Sequence, residues 1–392
     1  MKTLIQSLFF FFGFACLMNA CSSPQSEDTG GLKTIHIEPD NIRDDVMLSE
    51  FAEAKLVPLP TADDLIIGKI RRIRTSDKYI CLSDRNAIYR FSRSGDFLGK
   101  IEKKGQGPDE YTSIMDFIIT GDDEIAVLTE GRRILFYSWD GKMTKEVKLD
   151  PSLNFALMTQ LGDKLLMNNG NFTIRKHVLP VFDIHTGKKT NDLLPIDEYK
   201  AKYLYCFEAN NFTPGQNDTT CYFFTWYNDT IYRVTPNTCQ PAVFLDFDGR
   251  NIPASYYQQD FPDILEFLNS LPTGKPYGTF FYLQSDNYQM VQYAKHQNWG
   301  GTAIISLKDD HLINMEKVHI DELEGFPVEM YLYGAHVNHF PTSMDEAIFV
   351  LQPFDILEYV EEHVPESMDD IKKKIQYTSD DQNPVLLVMK LK

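Results

Sequence analysis

Three stretches that repeat one pattern at a fixed interval predict an all-β chain, a six-bladed β-propeller of four-stranded antiparallel blades with short helical insertions. The stretches are AIYRFSRSGDFLGKI (87–101), RILFYSWDGKMTKEV (133–147) and VLPVFDIHTGKKTND (178–192). Each holds an apolar-alternating run, a turn with glycine, and a second run rich in charge. The turn glycines Gly95, Gly141 and Gly187 stand 46 residues apart. Ser94, Asp140 and Thr186 precede them, and a pair of this kind suits the left-handed backbone of a tight hairpin. More strand pattern precedes each hairpin, so each repeat reads as four strands, and repeats of about 40–50 residues with four strands are the signature of blades. One small sheet cannot cover both its faces; neighbours stacked around an axis can.

The elements follow in chain order. Lys2, the apolar run TLIQSLFFFFGFACLMNA and Cys21 describe an export signal over residues 1–20. A membrane-spanning helix is the alternative, but the run is short for it, Gln6 and Ser7 interrupt it, and no basic flank follows. LMNAC resembles a bacterial lipobox, which implies lipidation at Cys21; Cys16, after Ala15, is a second candidate. Several acyl chains anchor stably where one does not. SSPQSEDTGG then reads as a flexible tether, 21–31, ahead of a propeller over 32–392. The strand pairs KIRRIRTSD with YICLSD, and SIMDFIITGDD with EIAVLTEG, open the first two repeats. A fourth repeat lies in DTIYRVTPNTCQPAVFLDF, a fifth runs from YGTFFYLQSDNYQMVQYAK through TAIISLKDDHLIN, and a sixth joins AIFVLQPF to NPVLLVMKLK. Residues 255–272 and 355–376 have helical spacing, with Pro365 starting or breaking the second insertion.

KKGQGPDEY (103–111) invites a phosphate-loop reading, which its residues oppose. Glu110 stands where a third glycine belongs, and Pro108 removes a backbone donor. Gly105, Gly107, Pro108, Glu110 and Tyr111 read instead as a connection between blades, with glycines for the reversal and Glu110 to accept backbone hydrogen bonds. With LSEFAEAKLVPLPTADDLIIGKIRRI (48–73), GKIEKKGQGPDEYTSIMDFII (99–119) and DDQNPVLLVMKLK (380–392), the chain resembles a family of six-bladed β-propeller lipoproteins of Bacteroides-type bacteria. The resemblance spans nearly the whole chain and is loose over 200–275. It implies that an early strand, LKTIHI (32–37) or AKLVPLP (54–60), pairs with the C-terminal strands and covers an exposed edge. It implies no activity.

Residues 21–392 carry a formal charge of −19, which opposes nucleic-acid binding and contact with anionic lipid. Four cysteines besides Cys21 remain, Cys81, Cys206, Cys221 and Cys239; Cys206 with Cys221 is the favoured disulfide, and buried thiols are an equal reading. His336 and His339 are the sharpest metal candidates, but on a strand they point to opposite faces, and ordinary structural roles are favoured. No nucleophile elbow or zinc helix occurs, and no cofactor is expected. The aromatic-rich stretches either stack on sugar rings or fill the faces between blades. Packing is favoured, and Trp226 and Trp299 are the candidate ligand contacts. DTT (218–220) and DTI (229–231) resemble short acceptors for O-glycosylation. The expected function is an exported, lipid-anchored binding scaffold of the cell envelope, in the outer membrane, meeting an envelope protein or a glycan. The alternative is a glycan hydrolase or lyase with acids or histidines at the channel mouth.

Overall fold

The protein is seen in a computed structural model that describes residues 31–121, 123–130, 132–150, 157–169, 176–200, 211–225, 228–272, 275–276, 278–295, 300–329, 339–379 and 381–392. Six antiparallel sheets stand in a ring. Blade 1 spans Arg72–Ile101, blade 2 Ile114–Lys148, blade 3 Leu157–Pro195, blade 4 Phe212–Asp246 and blade 5 Thr279–Met315. Each runs in simple meander order, and its first strand lies nearest the axis, where first strands of different blades touch one another. The hairpin glycines Gly95, Gly141 and Gly187 have φ of 99°, 80° and 68°, the left-handed region that the turns require.

Blade 6 is made from both ends of the chain. His339–Pro341, Glu346–Leu351 and Val385–Leu391 supply three strands, and Ala52–Pro58 supplies the fourth. This last pairing is antiparallel and unbroken, from Ala52 against Leu391 to Pro58 against Val385. Of the two early strands, the later one therefore closes the ring. The earlier, Lys33–His36, lies parallel to Val243–Asp246 and adds a fifth strand to blade 4. Between them the chain crosses blade 5, where Arg43 N donates to Asn314 O at 2.8 Å. The helical insertions are Ala254–Tyr257 with Ile264–Ser270, and Pro353–His363 with Met368–Lys374, the latter pair divided at Pro365 as its ring requires. A two-stranded ribbon, Lys317–Ile320 with Phe326–Glu329, was not legible in the repeat.

The apolar cores fall between blades. Six clusters of buried residues occupy the six interfaces, for example Cys81, Tyr111, Phe117 and Tyr137 between blades 1 and 2, and Leu157, Phe212, Phe223 and Val234 between blades 3 and 4. Middle strands are covered on both faces, so Glu124–Thr129 reads as an almost continuous apolar run. The dense aromatics serve this packing: Phe223, Phe224, Phe281 and Tyr282 are all buried.

Near the axis one carboxylate joins three blades. Asp116, on the first strand of blade 2, is fully buried. Arg74 of blade 1 reaches both its oxygens at 3.1 and 3.2 Å, and Arg72 Nε lies 3.6 Å away. Phe117 N donates to Oδ1 at 2.8 Å, and Met158 N of blade 3 donates to Oδ2 at 2.9 Å. Asp116→Ala leaves two arginines without their counter-charge and should cost about 3–5 kcal/mol. Urea unfolding measures this directly; a loss below about 1 kcal/mol would show that the network does not hold the axis.

Candidate functional site

Every blade's first strand begins, and its fourth ends, at the same rim of the ring. Over blade 4 this rim carries a cleft with a cavity of about 180 Å³. Three segments build it. The first leaves blade 3 after Pro195: Asp197 Oδ1 accepts from the backbone N–H of Tyr199 and Lys200, both at 3.1 Å, and turns the chain inward. The second opens the third strand of blade 4. There Asn228 Oδ1 accepts from Thr230 N at 3.1 Å, and Asp229 Oδ2 accepts from Asn251 Nδ2 at 2.7 Å. The third leaves blade 4 through Ile252 and the short helix ending at the buried Tyr257.

The cleft sets charge against an aromatic wall. Lys200 Nζ lies over the Tyr257 ring, 4.7 Å from its centre. Burial pushes the Lys200 amine down, while Asp197 and Asp229 pull it up. Burial pushes the Asp229 carboxyl up, opposed by the Asn251 hydrogen bond and the Lys200 charge. Burial, and then Asp229, raise the Tyr257 phenol. Oppositely shifted groups sharing one cleft are a pattern of functional sites. Tyr199, about half exposed, stands at the lip. Such a cavity offers hydrogen-bond donors, acceptors and a ring face to a small polar molecule. Among these residues only Asp229 and Thr230 were marked in the sequence, as part of DTI. No single segment of the cleft carries a motif, and its parts are spread over about 60 residues of the chain.

The residues marked from sequence take other places. Gly105–Tyr111 spans the gap from blade 1 to blade 2. Glu110 Oε2 accepts from Gly107 N at 2.7 Å, and a Cβ at Gly105 would fall on that same oxygen. Tyr111 is buried; its hydroxyl donates to Asn86 O at 2.9 Å and accepts from Lys103 N at 3.1 Å. Pro108 O accepts from Arg133 Nη2 at 2.7 Å, which draws the turn onto blade 2. His339 begins blade 6, buried between Phe281 and Phe349 at ring distances of 4.7 and 5.3 Å. Among the described residues no group of three or more His, Cys, Asp or Glu is placed to hold a metal. Cys81, Cys221 and Cys239 carry free thiols, which burial raises, to about 12 for Cys81 and Cys239. In DTT, Thr219 is exposed in a turn held by Asn217, and Thr220 is buried. Cys21, Cys206, Trp226, Trp299 and His336 lie outside the described residues.

The chain matches, over residues 32–390, a family described as a domain of unknown function, DUF4934. It belongs to that family. A similar fold occurs in the crystal structure of a Bacteroides fragilis NCTC 9343 protein to which export is ascribed. The TM-score is 0.67 at 18% identity, covering 92% of this chain and 100% of that one. The extracellular domain of a hybrid two-component system from B. thetaiotaomicron aligns with a TM-score of 0.37 at 10% identity, over 67% of this chain and 29% of that one, a likeness too slight to build on. No curated protein matches. For this DUF4934 chain the solved neighbour establishes the ring; the cleft stands on its own residues.

Two predictions follow from these placements. Gly105→Ala and Glu110→Ala should each destabilise, and the double variant should lose less than their sum, with a coupling of about 0.5–3 kcal/mol. Additive losses in urea unfolding would disconnect the two residues. Burial also holds the His339 imidazole down to about 3 from its ordinary 6.5. The unfolded chain takes up that proton near pH 6.5 and the native fold does not. The stability is therefore present above pH 6.5 and is lost as pH falls toward 3, by about 2 kcal/mol at pH 5. His339→Phe should remove that part of the difference between pH 7 and pH 5; an unchanged difference would refute the assignment.

Proposed function

We propose that this chain is an exported, lipid-anchored binding propeller of the cell envelope, held at the outer membrane by Cys21, that takes its ligand in the cleft over blade 4. The cleft carries the reading: Lys200, Asp229 and Tyr257, from three separate segments, converge on one open cavity with their proton affinities displaced by burial. Export and anchoring draw on the apolar leader that ends at Cys21, and export also on the name of the B. fragilis protein of similar fold. Among the described residues no helix is long and apolar enough to cross a membrane.

A glycan hydrolase or lyase is the second reading, and one observation favours it. A carboxyl raised by burial, Asp229, is what a general acid needs, and Asp197 lines the same cavity. Binding is preferred because Asp229 Oδ2 is already engaged by Asn251, which also holds Leu245 O at 2.7 Å. The carboxylate is thereby fixed to the blade.

The full-length protein, purified from envelope in mild detergent, should retain a low-mass compound from the medium, visible by native mass spectrometry. Asp229→Asn should lose it while melting at a similar temperature. Turnover of glycans by the same preparation would replace binding with catalysis. Cys21→Ala should move the protein to the soluble fraction and abolish labelling by a fatty-acid analogue; a variant still labelled would overturn the anchor.

A further inference from the structure

Resting on that reading of the cleft, we infer that its ligand is a neutral, hydroxylated ring, a single saccharide unit. Size gives the first argument. The cavity of about 180 Å³ lies below the roughly 300–1,000 Å³ of pockets for drug-sized ligands, so it seats one ring.

Charge gives the second. Asp197 and Asp229 face Lys200 across the cavity, so an anionic ligand meets two carboxylates and one ammonium. A cationic ligand finds its seat taken, because Lys200 Nζ already lies over the Tyr257 face and between the fields of both carboxylates. What remains for a ligand is neutral. Asn228, Thr230 and Gln258 line the cavity with amide and hydroxyl groups that donate and accept, as sugar hydroxyls do.

Shape gives the third. Tyr199 is 51% exposed at the lip of the cavity, so its ring is free to meet a ligand there. A saccharide has an apolar C–H face opposite its hydroxyls, and that face packs on an aromatic ring while the hydroxyls reach the floor. Phe244 and Ile252 extend the apolar side of the cavity.

The test uses the full-length protein in detergent micelles and ligand-detected NMR. The probes are glucose, galactose, mannose and N-acetylglucosamine, compared with glucosamine as the cation and glucuronic acid as the anion. At least one neutral sugar should bind, with a Kd near 1 mM, and both charged sugars at least tenfold more weakly. Tyr199→Ala, at an exposed position, should weaken the neutral sugar about tenfold with an unchanged melting temperature. Charged sugars binding equally well would overturn the inference, as would a neutral sugar indifferent to Tyr199→Ala. If no sugar binds while the protein still retains a compound that Asp229→Asn releases, the saccharide assignment fails and the binding propeller stands. If nothing is retained either, both fail.

Discussion

The pairing of Ala52–Pro58 with Val385–Leu391 is the joint on which the ring depends. A blade has two apolar faces and can bury neither alone. Five blades in a row would leave one face of the first and one of the last in water. Blade 6 removes that loss by taking its outer strand from the other end of the chain. The N-terminal segment does more than close the circle. It adds Lys33–His36 to the outer edge of blade 4, ties to blade 5 through Arg43, and ties to the ribbon that follows blade 5 through Val46 O, which accepts from His319 N at 2.9 Å. Only then does it enter blade 6. Blades 4, 5 and 6 are thus bound by one strap before the ring is sealed. Both helical insertions pack into the cluster between blades 5 and 6, beside the joint. The interface next to the closing strand is also the most heavily built.

A carboxylate near a cation plays two roles in this molecule, and the difference lies in how many donors surround it. Asp116 has two arginines and two backbone N–H groups, drawn from three blades. Every lone pair has a partner, so the carboxylate is satisfied and serves architecture. Asp229 has the amide of Asn251 and the charge of Lys200, on the wall of an open cavity. Its surroundings are dry enough to disfavour charge and open enough to admit a ligand. That combination separates a site from a strut.

Much of the fold could be read from Gly95, Gly141 and Gly187, because a left-handed hairpin turn accepts few residues and the ring repeats it at a fixed interval. Blade 4 was harder. Its equivalent turn runs through Thr235 and Thr238, whose hydroxyls lie 2.8 Å apart and replace the glycine with a side-chain link. The ribbon at Lys317–Glu329 breaks the repeat and, among the described residues, has no counterpart in other blades. The parallel strand on blade 4 was visible as a strand but not as a partner, since alternation fixes a face and not a neighbour. The cleft was hidden for a different reason. Its chemistry is divided among Asp197–Lys200, Asn228–Thr230 and Ile252–Gln258, and each piece alone is an ordinary polar connection.

That division follows from how a propeller distributes constraint. Residues between blades must fit two packed faces at once, so substitutions there are felt by both sheets. The connections at the rim carry fewer constraints. Asp197 caps a turn and Asn251 braces Asp229, while Tyr257 turns one side to the cleft and packs the other into the cluster between blades 5 and 6. The ring fixes where the ends of blades 3, 4 and 5 stand, which sets the width of the cleft. The connections then choose what lines it. A rigid frame with free linings explains how a fold survives at 18% identity while saying little about the ligand. On the proposed reading, recognition lies in the three rim segments over blade 4, while near the axis Asp116 and its arginines are committed to joining three blades.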